Sequence, residues 1–168
     1  VETFNLKNNF GGGIYSIVSS TLIESNLIKL NKASYAGGIY SRIASINLKN
    51  SFVNSNVADF FGGGLYNENS INIITNVSLE QNKANKGGGS YIFGAPAPNI
   101  KDCLYLDNYA HQFGGGIFND FSNPSISNTV LDKNHTYFFY DPTGGGTVNN
   151  GGAIYNNSSH PTINNSVF

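Results

Sequence analysis

The sequence predicts an all-β chain wound as a single-stranded parallel β-helix, a β-solenoid of about 25–26 residues per coil and roughly six to seven coils. Three observations carry that prediction. A glycine run followed by an apolar residue and an aromatic recurs through the chain. A second ladder of asparagines keeps step with it. No stretch of ten good helix formers lies between them, because glycine triplets and β-branched runs interrupt every candidate.

The glycine motif reads Gly11-Gly12-Gly13-Ile14-Tyr15, Ala36-Gly37-Gly38-Ile39-Tyr40, Gly62-Gly63-Gly64-Leu65-Tyr66, Gly87-Gly88-Gly89-Ser90-Tyr91, Gly114-Gly115-Gly116-Ile117-Phe118 and Gly151-Gly152-Ala153-Ile154-Tyr155. Its closing aromatics step by 25, 26, 25, 27 and 37 residues. The second ladder is Asn31, Asn56, Asn82, Asn108 and Asn134. Two residues on stand Ala33, Ala58, Ala84, Ala110 and Thr136. Eight residues back stand Ile23, Leu48, Ile74, Ile100 and Ile126, and three back stand Ile28, Val53, Leu79, Tyr105 and Leu131.

Three short segments per coil have the alternation of a half-buried strand. They are Gly-Ile-Tyr, the x-Ile-x-Asn segment (Thr162-Ile163-Asn164-Asn165 in the last unit), and the apolar pair before the ladder asparagine. The residue between Ile and Asn in the second segment is Glu24, Lys49, Thr75, Lys101, Ser127 or Asn164, so that column points outward. Stacking coils about 4.8 Å apart pairs each segment with its counterparts in three parallel sheets. Ile and Leu columns fill the interior, and the asparagines pass amide hydrogen bonds from coil to coil, since an amide both donates and accepts. The glycines are expected at a tight bend that needs positive φ and close backbone approach.

Two places break the period. Gly94-Ala95-Pro96-Ala97-Pro98 interrupts one unit at a corner, and Pro124 and Pro161 share the column of Pro98. The step of 37 residues contains Tyr137-Phe138-Phe139-Tyr140-Asp141-Pro142 and a spare glycine triplet, which reads as an inserted loop at about 135–150. The expectation is one β-helix domain over residues 1–168. Because the pattern starts and stops in mid-repeat, the chain is expected to be a slice or processed piece of a longer one.

Composition narrows the function. Charged residues are only 11% of the chain, 27 residues are Asn and 20 are Gly, and the formal net charge is -1. The nine Lys and Arg are scattered, which is not the basic footprint that nucleic acid requires. No apolar run is long enough for direct membrane insertion by this segment. Cys103 is the single cysteine, in a column with Val77 and Thr129, and is expected to be a buried structural thiol.

The columns resemble the repeats of the chlamydial polymorphic outer membrane proteins, with their GGA-[ILV] and F-x-x-N motifs. Gly151-Gly152-Ala153-Ile154 matches the first motif, and the other units carry Gly in place of its Ala. The second motif corresponds to Ile28…Asn31, Val53…Asn56, Leu79…Asn82, Tyr105…Asn108 and Leu131…Asn134, with an aliphatic residue for most of the aromatics. The resemblance spans nearly the whole chain. It implies a right-handed helix, display outside the cell, often as an autotransporter passenger, and adhesive roles.

Candidate sites follow from the outward columns. Tyr15, Tyr40, Tyr66, Tyr91, Phe118 and Tyr155 alternate with the inward Ile column, so they are expected to form an outward aromatic stripe. It either stacks on itself or offers a platform to sugar rings or a protein partner. Tyr137, Phe138, Phe139 and Tyr140 of the insert extend that candidate surface. Sequons stand at Asn76, Asn134, Asn156, Asn157 and Asn164.

Catalytic candidates are sparse. Glu68 and Asp120 share a column two coils apart with Phe93 between them, Asp107 lies diagonally near Asp132, and Arg42 is read as distant from both pairs. His111, His135 and His160 fall at three repeat positions, so no metal triad is expected. No cofactor is expected either, since the glycine triplets lack the Lys-Ser/Thr of a phosphate loop. The leading expectation is an extracellular or cell-surface β-helical module, structural and adhesive and without catalysis. Its partners are expected to be a carbohydrate or a host or cell-surface protein. One alternative is the subunit of an extracellular filament built by end-to-end self-association. The other is a polysaccharide lyase or hydrolase, kept on the analogy of fold alone.

Overall fold

Each coil turns at four single residues in the left-handed region. In one coil these are Ile43 (φ 49°), Asn50 (φ 50°), Ser55 (φ 53°) and Gly62 (φ 65°), and the same four positions recur along the chain. One bend carries Asn or Asp in most coils (Asn50, Asn76, Asp102, Asn128, Asn165), residues that tolerate this region because their side chains hydrogen-bond locally. Another carries Asn69, Gly94 or Ser158 in three coils and Val18, Ile43 or Phe121 in the other three, bulky residues for which the conformation costs free energy. Between bends the backbone is extended, and alternate side chains enter the coil.

In the computed structural model, which describes residues 9–137 and 151–168, the coils stack as a right-handed parallel β-solenoid. Among the described residues the strands form three sheets. The glycine sheet holds six strands: Ile14–Ile17, Ile39–Arg42, Leu65–Glu68, Ser90–Phe93, Ile117–Asp120 and Ile154–Asn157. The long sheet contains Ser45–Asn54 and Ile73–Glu80, which run through the Asn50 and Asn76 bends, together with shorter strands above and below. The third, here the lysine sheet, holds Lys32–Tyr35, Val57–Phe61, Lys83–Lys86, Tyr109–Phe113 and His135–Thr136.

Register places like on like. Tyr15 pairs with Tyr40, Tyr40 with Tyr66, Tyr66 with Tyr91, Tyr91 with Phe118 and Phe118 with Tyr155. The 37-residue step is thus a single rung, and the described residues make about five turns, slightly fewer than the six to seven expected. The division into sheets also differs. The second and third segments expected from the sequence share the long sheet, and the third sheet is the stretch after the ladder asparagine. Its Lys, Ala and Asn residues are poor strand formers, so pairing with the neighbouring rungs decides its conformation.

The interior is continuous. Ile39, Leu65, Ile92 and Ile117 face Leu48, Ile74, Ile100 and Ile126, with Val53, Leu79, Tyr105 and Leu131 closing the third side. Burial of each such side chain contributes about 1.5–3 kcal/mol. The glycine triplet divides its labour. Its first residue makes the bend, and Ala36 fills that place at φ 55°. The second and third lie where rungs touch: a Cβ on Gly63 would stand 2.4 Å from the Gly88 carbonyl oxygen. At the opposite corner Pro98 and Pro124 accept through their carbonyls from Ser125 and Thr162. At Ile46, the same place in an earlier coil, the N–H donates to the side chain of Asn72, a donor that proline does not bring.

Candidate functional site

The ladder asparagines lie inside the coil. Each Oδ1 accepts from the backbone N–H and the Nδ2 of the preceding member: Asn56 on Asn82 at 3.0 and 3.0 Å, Asn82 on Asn108 at 3.0 and 3.0 Å. Each Nδ2 also donates to a carbonyl one coil back, Val53 from Asn82 and Leu79 from Asn108 at 2.8 Å. Asn31 and Asn134 end the run as donor to Asn56 and acceptor from Asn108. Asn56, Asn82 and Asn108 are fully buried. The column is structural, and Asn134, whose Nδ2 donates to the Tyr105 carbonyl, is unsuited to carry a glycan.

The aromatic stripe faces away from the coil interior and, of the two readings open from the sequence, it stacks on itself. Tyr40, Tyr66, Tyr91 and Phe118 are buried, forming a second apolar core outside the coil with Ala36. Their rings lie 5.0–5.2 Å apart from rung to rung. Tyr35, Phe61, Phe93 and Phe113 cover them, and Lys86 sets its ammonium 5.4 Å from the Phe113 ring and 5.8 Å from that of Phe61. Of the stripe only Tyr15 is well exposed, at 53%, while Tyr155 is half-buried. Burial first, and then the neighbouring carboxylates Glu68 and Asp120, push the phenols of Tyr40, Tyr66 and Tyr91 far above their ordinary range.

The acid pair serves this second core. Glu68 accepts from the Tyr40 hydroxyl and pairs with Arg42 at 3.3 Å. Asp120 accepts from the Tyr91 hydroxyl at 2.5 Å and from Asn157 Nδ2 at 2.7 Å. Both oxygens of each carboxylate are therefore engaged by the framework. The reading of Arg42 as remote is corrected: it stands in register with Glu68, one rung away. Asp107 and Asp132 meet through the Asp107 N–H and the Asp132 carbonyl, while the Asp132 side chain faces Lys133 at 3.8 Å.

Cys103 is buried, its Sγ 3.1 Å from the Lys101 carbonyl, and burial pushes its thiol up to about 11. Among the described residues no three His, Cys, Asp or Glu side chains gather to hold a metal. Asn76 donates to Asn50 at 2.9 Å and Asn157 to Asp120, whereas Asn156 and Asn164 are exposed. Tyr137 is exposed and stacks on His111 at 5.3 Å. Phe138, Phe139 and Tyr140 lie outside the described residues.

Two outer faces are open among the described residues: that of the long sheet, with a cavity of about 610 Å³ beside Phe52, Asn76 and Asp102, and that of the lysine sheet. Between the inward Asn and Ala columns runs an outward one, Lys32, Val57, Lys83, Tyr109 and His135, in register over five rungs. A cleft of about 600 Å³ lies over it, lined by Val57, Lys83, Tyr109 and His135 with Ser55, Gln81 and Asp107 from the adjoining bend. A second cavity of about 340 Å³ shares Lys83 and Tyr109 and reaches Asp59 and His111. The His135 and Tyr109 rings stand 5.2 Å apart, and His135 Nδ1 lies 3.1 Å from the Lys133 carbonyl and 4.0 Å from Asp107. Lys83 and Tyr109 escaped the sequence reading. The signal was available, since each follows a ladder asparagine directly and alternation turns it outward.

No family model, no curated protein and no solved structure matches this chain.

Proposed function

We propose that the chain is an extracellular, cell-surface β-helical module, a rigid spacer with an adhesive face that works by contact and without catalysis. The observation that supports this best is how the outward side chains are spent. The paired acids Glu68 and Asp120 are engaged in holding the aromatic spine, while the lysine sheet leaves a shallow face of mixed chemistry open along several rungs. Such a face suits a broad, weak contact with a carbohydrate or a cell-surface protein. A net charge of -1 offers little attraction to nucleic acid.

The finer likeness belongs to the same proposal. The GGA-[ILV] match at Gly151–Ile154 and the asparagine column resemble the repeats of chlamydial polymorphic outer membrane proteins, which favours a passenger-like module outside an outer membrane. The test is saturable binding of the fluorescently labelled full chain to intact epithelial cells, alongside an assay for new reducing or unsaturated ends on plant and animal polysaccharides. Saturable binding without cleavage is the expected result. Absence of binding overturns the adhesive reading, and cleavage abolished by Asp107→Asn or Asp132→Asn overturns the non-catalytic one.

A further inference from the structure

We infer that the cleft over Val57, Lys83, Tyr109 and His135 is an oligosaccharide site for an extended, uncharged glycan lying along the solenoid axis. This rests on the adhesive reading above and gives it a place and a ligand class.

The backbone of this face is committed to the ladder on both sides, Lys83 donating to Asn56 and Tyr109 to Asn82 at 2.9 Å each. A ligand here therefore meets side chains alone. That disfavours an extended peptide, which binds sheets by adding main-chain hydrogen bonds at an open edge.

The side chains present are those that a polyhydroxylated ring needs. Tyr109 is a half-buried aromatic plate whose position is set by the His135 ring at 5.2 Å, and an aromatic face takes the C–H side of a pyranose. Around it stand Lys83, which donates, Asp107, which accepts, and Gln81, which does both. Lys83 makes none of the ion pairs among the described residues. The second cavity continues the surface past Tyr109 to His111, stacked on Tyr137.

Charge decides between glycan classes. Lys83 and Asp107 line the same cleft with opposite signs, which suits hydroxyl groups and not the one-signed field that a polyanion favours. The geometry matches a chain: rungs repeat about every 4.8 Å, close to the length of one extended pyranose unit. The cleft is shallow, so a dissociation constant of about 0.1–1 mM is expected.

The test is an amide NMR titration of the full chain with cellohexaose, chitohexaose and hexagalacturonate, each to roughly 10 mM. The expected result is saturable shifts at residues 55–57, 81–83, 107–109 and 135 with a neutral hexasaccharide. Tyr109→Ala should then weaken binding at least tenfold and Lys83→Gln about threefold, with the amides of the ladder asparagines unmoved. Lys83 is exposed, so its variant keeps the test alive if Tyr109→Ala disturbs the sheet. No saturable shift with either neutral probe, shifts confined to other faces, or a response to hexagalacturonate alone would each overturn the inference. Cell binding that persists undiminished in Tyr109→Ala overturns it too, while leaving the adhesive reading standing.

Discussion

Replacing Asn82 with alanine removes the middle of the buried ladder. Four side-chain hydrogen bonds disappear: two accepted from Asn56 and two donated, to Val53 O and Asn108 Oδ1. The Asn82 N–H still reaches Asn108 Oδ1, and the Val53 carbonyl keeps its place in the sheet ladder opposite Leu79 and Glu80, so two donors are orphaned in the interior: the Asn56 N–H and the Asn56 Nδ2 hydrogen that faced Asn82. A buried group left unpaired costs about 1–3 kcal/mol. Asn56 Nδ2 keeps its bond to the Ile28 carbonyl, and the two donors are neighbours, so the net loss is about 3 kcal/mol and not their full sum. Against a total of about 5–15 kcal/mol, this should lower the melting temperature by roughly 6–12 °C. Urea unfolding followed by circular dichroism measures it, with the exposed Asn99→Ala as a control expected within about 0.5 kcal/mol of wild type. Asn82→Asp adds a check of sign. Its second oxygen would face the Val53 carbonyl and Asn108 Oδ1, so the fold favours the protonated acid and raises its pKa. Stability is then restored as pH falls through that raised value and is lost as pH rises. A loss under about 1 kcal/mol for Asn82→Ala would refute the ladder as a source of stability.

Three further outcomes follow from the same structure. Ile43 is 56% exposed at φ 49°, so Ile43→Gly should raise stability by about 1 kcal/mol in urea unfolding, because the left-handed bend costs an L-residue about 1–2 kcal/mol. Tyr40, Tyr66, Tyr91 and Tyr105 all have phenols raised chiefly by burial; the stability they lend is full below the unfolded value near pH 10 and falls as pH rises past it. Spectrophotometric titration at 295 nm should show these four ionising only on unfolding, and a single smooth titration of every tyrosine would contradict their burial. Cys103, with its thiol pushed up to about 11, should stay unreactive to a disulfide reagent at pH 8 until denaturant is added.

Much of the architecture was legible because a stacked fold repeats its chemistry at one interval. The Asn82 column, the Ile74 column and the Tyr66 column all keep the same spacing, and register follows from aligning them. The lysine sheet was harder to see, since Lys83-Ala84-Asn85-Lys86 has no strand preference and takes its conformation from the rungs on either side. The bends at Val18, Ile43 and Phe121 were invisible for the opposite reason: nothing in those side chains announces the left-handed region. Alternation gave the direction of the tyrosine stripe and could not give its burial, because Tyr35, Phe61 and Phe113, which cover it, come from another sheet. The Arg42–Glu68 pair, 26 residues apart, was a single-coil step that the period itself could have revealed.

The candidate site follows the same logic. A solenoid in which the ladder holds the interior and the aromatic spine holds one outer flank leaves the face beyond Asn82 and Asn108 open. Lys83, Tyr109 and His135 stand there because each is the neighbour of a ladder asparagine, fixed in height by a buried amide and turned outward by the strand.

The most direct test of this stack is a distance across it. Leu22 and Thr162 are exposed and lie in one column of the long sheet, linked in register through Asn47, Ile73, Asn99 and Ser125. Five rungs at about 4.8 Å separate their backbones by about 24 Å. Spin labels on Leu22→Cys and Thr162→Cys, with Cys103→Ser, should give a narrow pulsed electron–electron distance distribution near that value. It tests the whole column at once, including the claim that the 37-residue step adds one rung. A broad distribution, or a maximum near 29 Å as an extra rung would require, would contradict the account.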